Sequence, residues 1–149
     1  MRTRTLLLPL LAALAATAAG TSAVLAATPA RQAAIIEVAT ADELEAALSD
    51  AVPGDTIRLA DGTYTGNFET TVPGTSGAPI TLSGSSAAVL TASGGYGLHL
   101  DGASYWNVEG ITVRGGQKGI VLDSANGVVI DSVTVHDLDM EGVHFRNSS

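Results

Sequence analysis

The chain has 149 residues, 15 of them acidic against 7 basic, with no cysteine and a formal net charge of −8. This balance argues against nucleic acid or an anionic membrane surface as a partner, and the lack of cysteine excludes a disulfide staple. Packing, hydrogen bonding or a metal must hold the fold.

Residues 1–26 read as an address rather than as fold. Arg2 and Arg4 precede an apolar run from Leu6 to about Ala19, and small residues lead to Val24-Leu25-Ala26. That order is a secretory signal peptide, with cleavage expected after Ala26. Pro9, Gly20 and the shortness of the run argue against a membrane anchor. The protein is therefore expected to be secreted, with no membrane attachment after cleavage. Losing Arg2 and Arg4 with the signal leaves five basic residues against 15 acidic, a net charge of −10.

Residues 27–54 are expected to form an N-terminal segment carrying one helix. In "TADELEAALSD", Thr40 and Glu43 have the spacing of a capping box. Leu44, Ala47, Leu48 and Ala51 then mark one helical face, and Pro53-Gly54 stops it.

From residue 55 to 149 the pattern changes. Short apolar-x-apolar pieces, broken by Gly, Asn, Asp or Ser, have the alternation of strands that bury one face. "GLHLDGASYWNVEGITVRG", from Gly97, is echoed by "KGIVLDSANGVVIDSVTVHDL", from Lys118. Gly97, Gly119 and Gly142 are separated by 22 and 23 residues. Under that register Leu98, Ile120 and Val143 share a column, as do Leu100, Leu122 and Phe145. Earlier in the chain Ile57 and Leu59 align with Ile80 and Leu82, and the step from Leu82 to Val108 is longer. A fixed period of this size marks a solenoid. The expected fold is all-β, three parallel sheets with about 22–23 residues per coil, and the N-terminal helix caps its open end.

"PGDTIRLADGTYTG" (Pro53 to Gly66), "PITLSG" (Pro79 to Gly84) and the repeats from Gly97 to Arg146 resemble secreted right-handed parallel β-helix proteins of the pectate-lyase-like superfamily. The resemblance implies a right-handed parallel β-helix. It carries less about activity, because the same coil serves lyases, hydrolases, epimerases and non-catalytic proteins. Such proteins have more coils, and "VHFRNSS" stops partway around a turn. The expectation is an N-terminal part of a longer protein, monomeric at full length.

Residues one repeat apart stack roughly 4.8 Å apart, so the columns name neighbours. Lys118 should stack with Glu141, Asp123 with Arg146 above and Asp101 beneath, and Arg114 with His136. His99 and His144 share a column with Val121 between them. Elimination from a uronic acid needs its carboxylate neutralised and a base at the α-proton. Lys118, His144 and Arg146 are the candidate catalytic residues, and His99, Arg114 and His136 the candidate substrate-binding residues. The competing reading makes the charged pairs surface ion pairs worth under about 1 kcal/mol each. In "HDLDMEG", Asp137, Asp139 and Glu141 alternate beside a turn and are the candidate ligands for Ca²⁺, without the EF-hand pattern. Trp106 falls in an inward column, and Tyr64 and Tyr96 are the candidates for exposed aromatic contact.

The reading is an exported polysaccharide lyase acting on, or binding, an extracellular acidic polysaccharide. Its alternative is a non-catalytic β-solenoid for attachment to cell wall or matrix. Residues 27–149 by themselves are expected to be inactive, because a polymer groove spans several coils.

Overall fold

The computed structural model describes residues 31–149, so the expected secretory segment lies outside the described residues. The described chain opens with a strand, β1 (Ile35–Val38), that the count of apolar-x-apolar pieces from residue 55 leaves out. Helix α1 (Ala41–Asp50) follows where its capping box places it. The Thr40 hydroxyl accepts from the Glu43 amide at 3.2 Å, and the Glu43 carboxylate accepts from the Ala39 and Thr40 amides at 2.8 and 3.1 Å. These bonds satisfy amides that the first helical turn leaves without partners. Leu44, Ala47, Leu48 and Ala51 are all buried, as the helical spacing requires.

Three strands then recur in each coil. They are β2 (Thr56–Leu59), β3 (Gly62–Thr65) and β4 (Phe68–Thr70), then β5 (Ile80–Ser83), β6 (Ala88–Ala92) and β7 (Tyr96–Asp101). Next come β8 (Trp106–Glu109), β9 (Thr112–Gly115) and β10 (Lys118–Asp123), and last β11 (Val129–Asp131), β12 (Thr134–His136) and β13 (Val143–Arg146). Every strand pairing is parallel, and the sheets run β1-β2-β5-β8-β11, β3-β6-β9-β12 and β4-β7-β10-β13. This is the expected parallel β-helix, with α1 packed on β1, β2 and β4.

Alternation turns one residue in two toward the inside, where stacked apolar columns form the core. Ile57, Leu82 and Val108 make one buried column, and Phe68, Leu98 and Ile120 another. The expected columns of the last coils hold: Leu98 with Ile120 and Val143, and Leu100 with Leu122 and Phe145. The earlier alignment does not. Ile57 pairs with Leu82, not Ile80, a slip of two residues. A slip of two keeps both side chains inward, so the apolar pattern cannot detect it. Corner loops absorb the extra length, most visibly residues 71–79 between β4 and β5.

Two of the three column glycines, Gly97 and Gly119, have a steric cause. A Cβ on Gly119 would lie 2.5 Å from the Val135 Cγ1 and 2.6 Å from the Gly142 carbonyl oxygen. Only a residue without a side chain lets the corner close there.

Two other side chains fix the core. The Trp106 indole points inward as expected, and its Nε1 donates to the Val72 carbonyl at 2.8 Å. Tyr64, expected as an exposed aromatic, is buried instead. It shares the inward column of Leu90, and its hydroxyl sits 2.9 Å from both the Val38 and Ala60 carbonyls. That desolvation pushes its phenol pKa above the usual range. Asp55, in the turn after α1, is also fully buried. It accepts from the Ala34 and Val52 amides at 2.8 and 2.9 Å and pairs with Arg31. A buried carboxylate held this way ties β1 to the helix end.

Candidate functional site

The outer face of the β4-β7-β10-β13 sheet gathers most of the candidate residues. Inward Leu98, Leu100, Ile120 and Leu122 force the alternate residues outward. Along β7 these are His99 and Asp101, along β10 Val121 and Asp123, and along β13 His144 and Arg146. Val121 stacks between His99 and His144 and is fully buried, although it lies outside the apolar core. The neighbouring outer side chains therefore cover it.

Glu141 joins two of the candidate catalytic groups. Its Oε2 accepts from Lys118 Nζ at 2.8 Å and lies 3.0 Å from His144 Nδ1. The Lys118 hydrogen bond, with the nearby His144, holds the Glu141 carboxyl below its ordinary range. With His144 Nδ1 on this carboxylate, Nε2 is the ring nitrogen left for other work. Arg146 Nη2 lies 2.8 Å from Asp123 Oδ2, the pair expected from the columns. Its guanidinium carbon also stands 6.0 Å from the centre of the Tyr96 ring, within cation–π range.

A second group adjoins the first. His99 Nδ1 lies 2.8 Å from Glu69 Oε2 on β4. Tyr96 meets the His99 ring edge-on, with centres 5.3 Å apart. The Asn67 amide donates to the Gly94 and Tyr96 carbonyls at 2.5 and 2.8 Å and so fixes the turn that presents Tyr96. Asn67, Phe68, Glu69, Gly95, Tyr96 and His99 line an open cavity of about 200 Å³.

The structure divides the candidates between two sheets. Lys118, His144, Arg146 and His99 share the face just described. Arg114 and His136 stack on each other as expected, but on β9 and β12 of another sheet. There Arg114 Nε donates to the Thr91 hydroxyl at 3.2 Å, and His136 Nδ1 lies 2.8 Å from Asp137. Among the described residues, the candidate calcium ligands Asp137, Asp139 and Glu141 do not form a group whose oxygens all lie within 4.8 Å of one another. Asp137 is a corner residue in the left-handed region, with φ 56°, and its carboxylate faces His136. Glu141 serves Lys118 and His144. Calcium needs several converging oxygens, and two of these three carboxylates are committed elsewhere. Glu69 and Asn67 escaped the sequence reading. Glu69 and His99 are 30 residues apart, outside the 22–23-residue register.

The coil of three parallel sheets, with cations and carboxylates ranked along one face, is a parallel β-helix, and the comparisons with known proteins make it polysaccharide lyase-like. A family model described as Chondroitinase B matches residues 38–132. The chain belongs to the Chondroitinase B family. Among solved structures it is similar to the alginate lyase from Paenibacillus sp. str. FPU-7, with 40% identity and a TM-score of 0.71. That match covers 77% of this chain and 44% of the lyase, so the chain spans less than half the length of the protein it resembles. No curated protein matches the chain. Among the described residues no helix is long and apolar enough to cross a membrane.

Proposed function

We propose that the protein is an exported polysaccharide lyase. It cleaves an extracellular, uronate-containing polysaccharide by β-elimination on the outer face of the β4-β7-β10-β13 sheet. The observation that carries the reading is Glu141 holding both Lys118 and His144 beside Arg146, in a member of the Chondroitinase B family. Arg146 and Lys118 neutralise the uronate carboxylate, which makes the α-proton acidic. His144 Nε2 takes that proton, the C–H electron pair becomes the new double bond, and the β C–O bond breaks with its electron pair on the leaving oxygen, which takes a proton from water. Glu141 fixes the His144 ring through Nδ1. Tyr96 and the cavity beside it hold a neighbouring sugar.

The second reading, attachment to cell wall or matrix, is favoured by one observation: Lys118 and Arg146 each already have a carboxylate partner. The test uses the protein as its own cells export it, beside residues 27–149 made separately. Each is incubated with alginate, chondroitin and other uronate polymers, and the absorbance of unsaturated product is followed with and without chelator. The exported protein should begin at Ala27 and form product, and His144→Ala should cost 10²-fold or more in kcat/KM, the lower end for a general base. Residues 27–149 alone should form none, because His144 and Arg146 lie on a strand with a neighbour on one side only. A flat trace from the exported protein on every polymer, with retention on insoluble wall material, replaces the lyase reading with attachment. Equal rates from the two would place the whole site within these coils.

A further inference from the structure

We propose that His99, Asp101 and Asp123 form a binding site for a divalent transition metal of the zinc class. One ring nitrogen of His99 and one oxygen from each aspartate lie within 4.8 Å of one another. The aspartates alone would be a solvated acidic patch. The His99 ring points to a ligand. Its Nδ1 is committed to Glu69 at 2.8 Å, and its Nε2 is shielded from solvent with no hydrogen-bond partner. A buried imidazole nitrogen without a partner costs free energy, and a metal ion would remove that cost.

The arrangement is the one metal-binding histidines use. A carboxylate accepting from Nδ1–H fixes the tautomer, orients the ring and raises the basicity of Nε2. Glu69 from β4 is that carboxylate, and Asp101 and Asp123 come from β7 and β10. The metal site therefore draws on three consecutive strands of one sheet. A set of one imidazole and two carboxylates suits zinc and its neighbours and leaves a position open. Arg146 holds Asp123 Oδ2 at 2.8 Å, and the Ser124 hydroxyl lies 3.5 Å from Oδ1. The site differs from the Asp137, Asp139 and Glu141 set expected for calcium. It stands independently of the lyase reading.

The test is direct titration of the full chain, stripped with chelator, by Zn²⁺ in a calorimeter and by Co²⁺ followed through its visible absorption. One ion should bind per chain, in the micromolar range or tighter, with a Co²⁺ spectrum of a nitrogen- and oxygen-ligated site. His99→Ala should abolish the spectrum. Glu69→Gln should weaken binding 10- to 100-fold, the usual cost of losing the orienting carboxylate. His136→Ala, on another sheet, should leave binding unchanged. Circular dichroism on each variant separates lost binding from lost fold. Wild-type binding no tighter than millimolar, Ca²⁺ binding tighter than Zn²⁺, or full binding by a folded His99→Ala would each overturn the proposal.

Discussion

The first and the last of the described coils bury the same kind of residue very differently. At the α1 end Leu44 and Leu48 are 0% exposed and the first coil's core is covered. At the β13 end Val143 is 36% and Phe145 60% exposed, although their column mates Ile120 and Leu122 are buried. Burial in a parallel coil is conferred by the next layer, so one column can hold both core and surface residues. The difference also bears on the site. Lys118 stands on β10, stacked on both sides, whereas His144 and Arg146 stand on β13, stacked on one.

The comparison breaks most visibly through truncation of the two apolar ends. Leu48→Ala removes a fully buried side chain and should cost about 3 kcal/mol, in the usual range for a leucine cavity. In residues 27–149 made alone, Phe145→Ala should cost under about 1 kcal/mol, because no further coil covers that ring there. Urea unfolding of residues 27–149 followed by circular dichroism measures both. Equal losses would mean that the β13 face is covered in solution.

A smaller effect sharpens the comparison at the corners. Gly110 and Ser132 follow paired residues, Glu109 and Asp131, and both are left-handed, with φ of 76° and 54°. A Cβ at Gly110 would lie 2.2 Å from the Gly84 carbonyl oxygen. Gly110→Ala should therefore destabilise by more than about 1 kcal/mol, since the left-handed conformation alone costs a side chain that much. Ser132→Gly should stabilise by something under about 1 kcal/mol, because relief of the left-handed penalty is offset by a looser unfolded chain. Thermal unfolding of the two variants checks the opposite signs. A gain at Gly110 would show that the interior corner can open.

Those corners also show what was legible beforehand. Parallel stacking repeats its inward residues at a nearly constant interval wherever corner loops keep their length. The last coils, from Gly97 on, could therefore be read column by column down to the pairs Lys118–Glu141 and Asp123–Arg146. Where the loops lengthen, the interval fails. Ile57 was aligned two residues away from its true partner, and the Glu69–His99 pair was invisible at a separation of 30. Alternation alone did not identify Tyr64 as inward-facing. A column fixes which residue lies above another but not which sheet carries the column, so Arg114 and His136 seemed to join a site that lies on a different face. Asp55 gave no signal, because a buried carboxylate in a turn has the same letters as a solvated one.

The smallest effect concerns two glutamates, one near each end. Glu43 is held below the ordinary carboxyl range chiefly by the Ala39 backbone amide, and Glu141 chiefly by the Lys118 side chain. For both, the native pKa lies below the unfolded one. Each contribution is therefore complete above the unfolded glutamate value and is lost as pH falls through the native value. The causes differ in how they respond to salt. A short hydrogen bond to a backbone amide survives ionic strength, whereas an exposed ion pair is screened once the Debye length falls to about 3 Å near 1 M salt. Carboxyl NMR titrations at low and high salt should show Glu141 moving back toward its ordinary value while Glu43 stays depressed. Lys118→Met should move Glu141 in the same direction at low salt and leave Glu43 alone. If Glu141 remains depressed in both experiments, its partner is His144 rather than Lys118, and the role of Lys118 in the proposed site would rest on the substrate carboxylate alone.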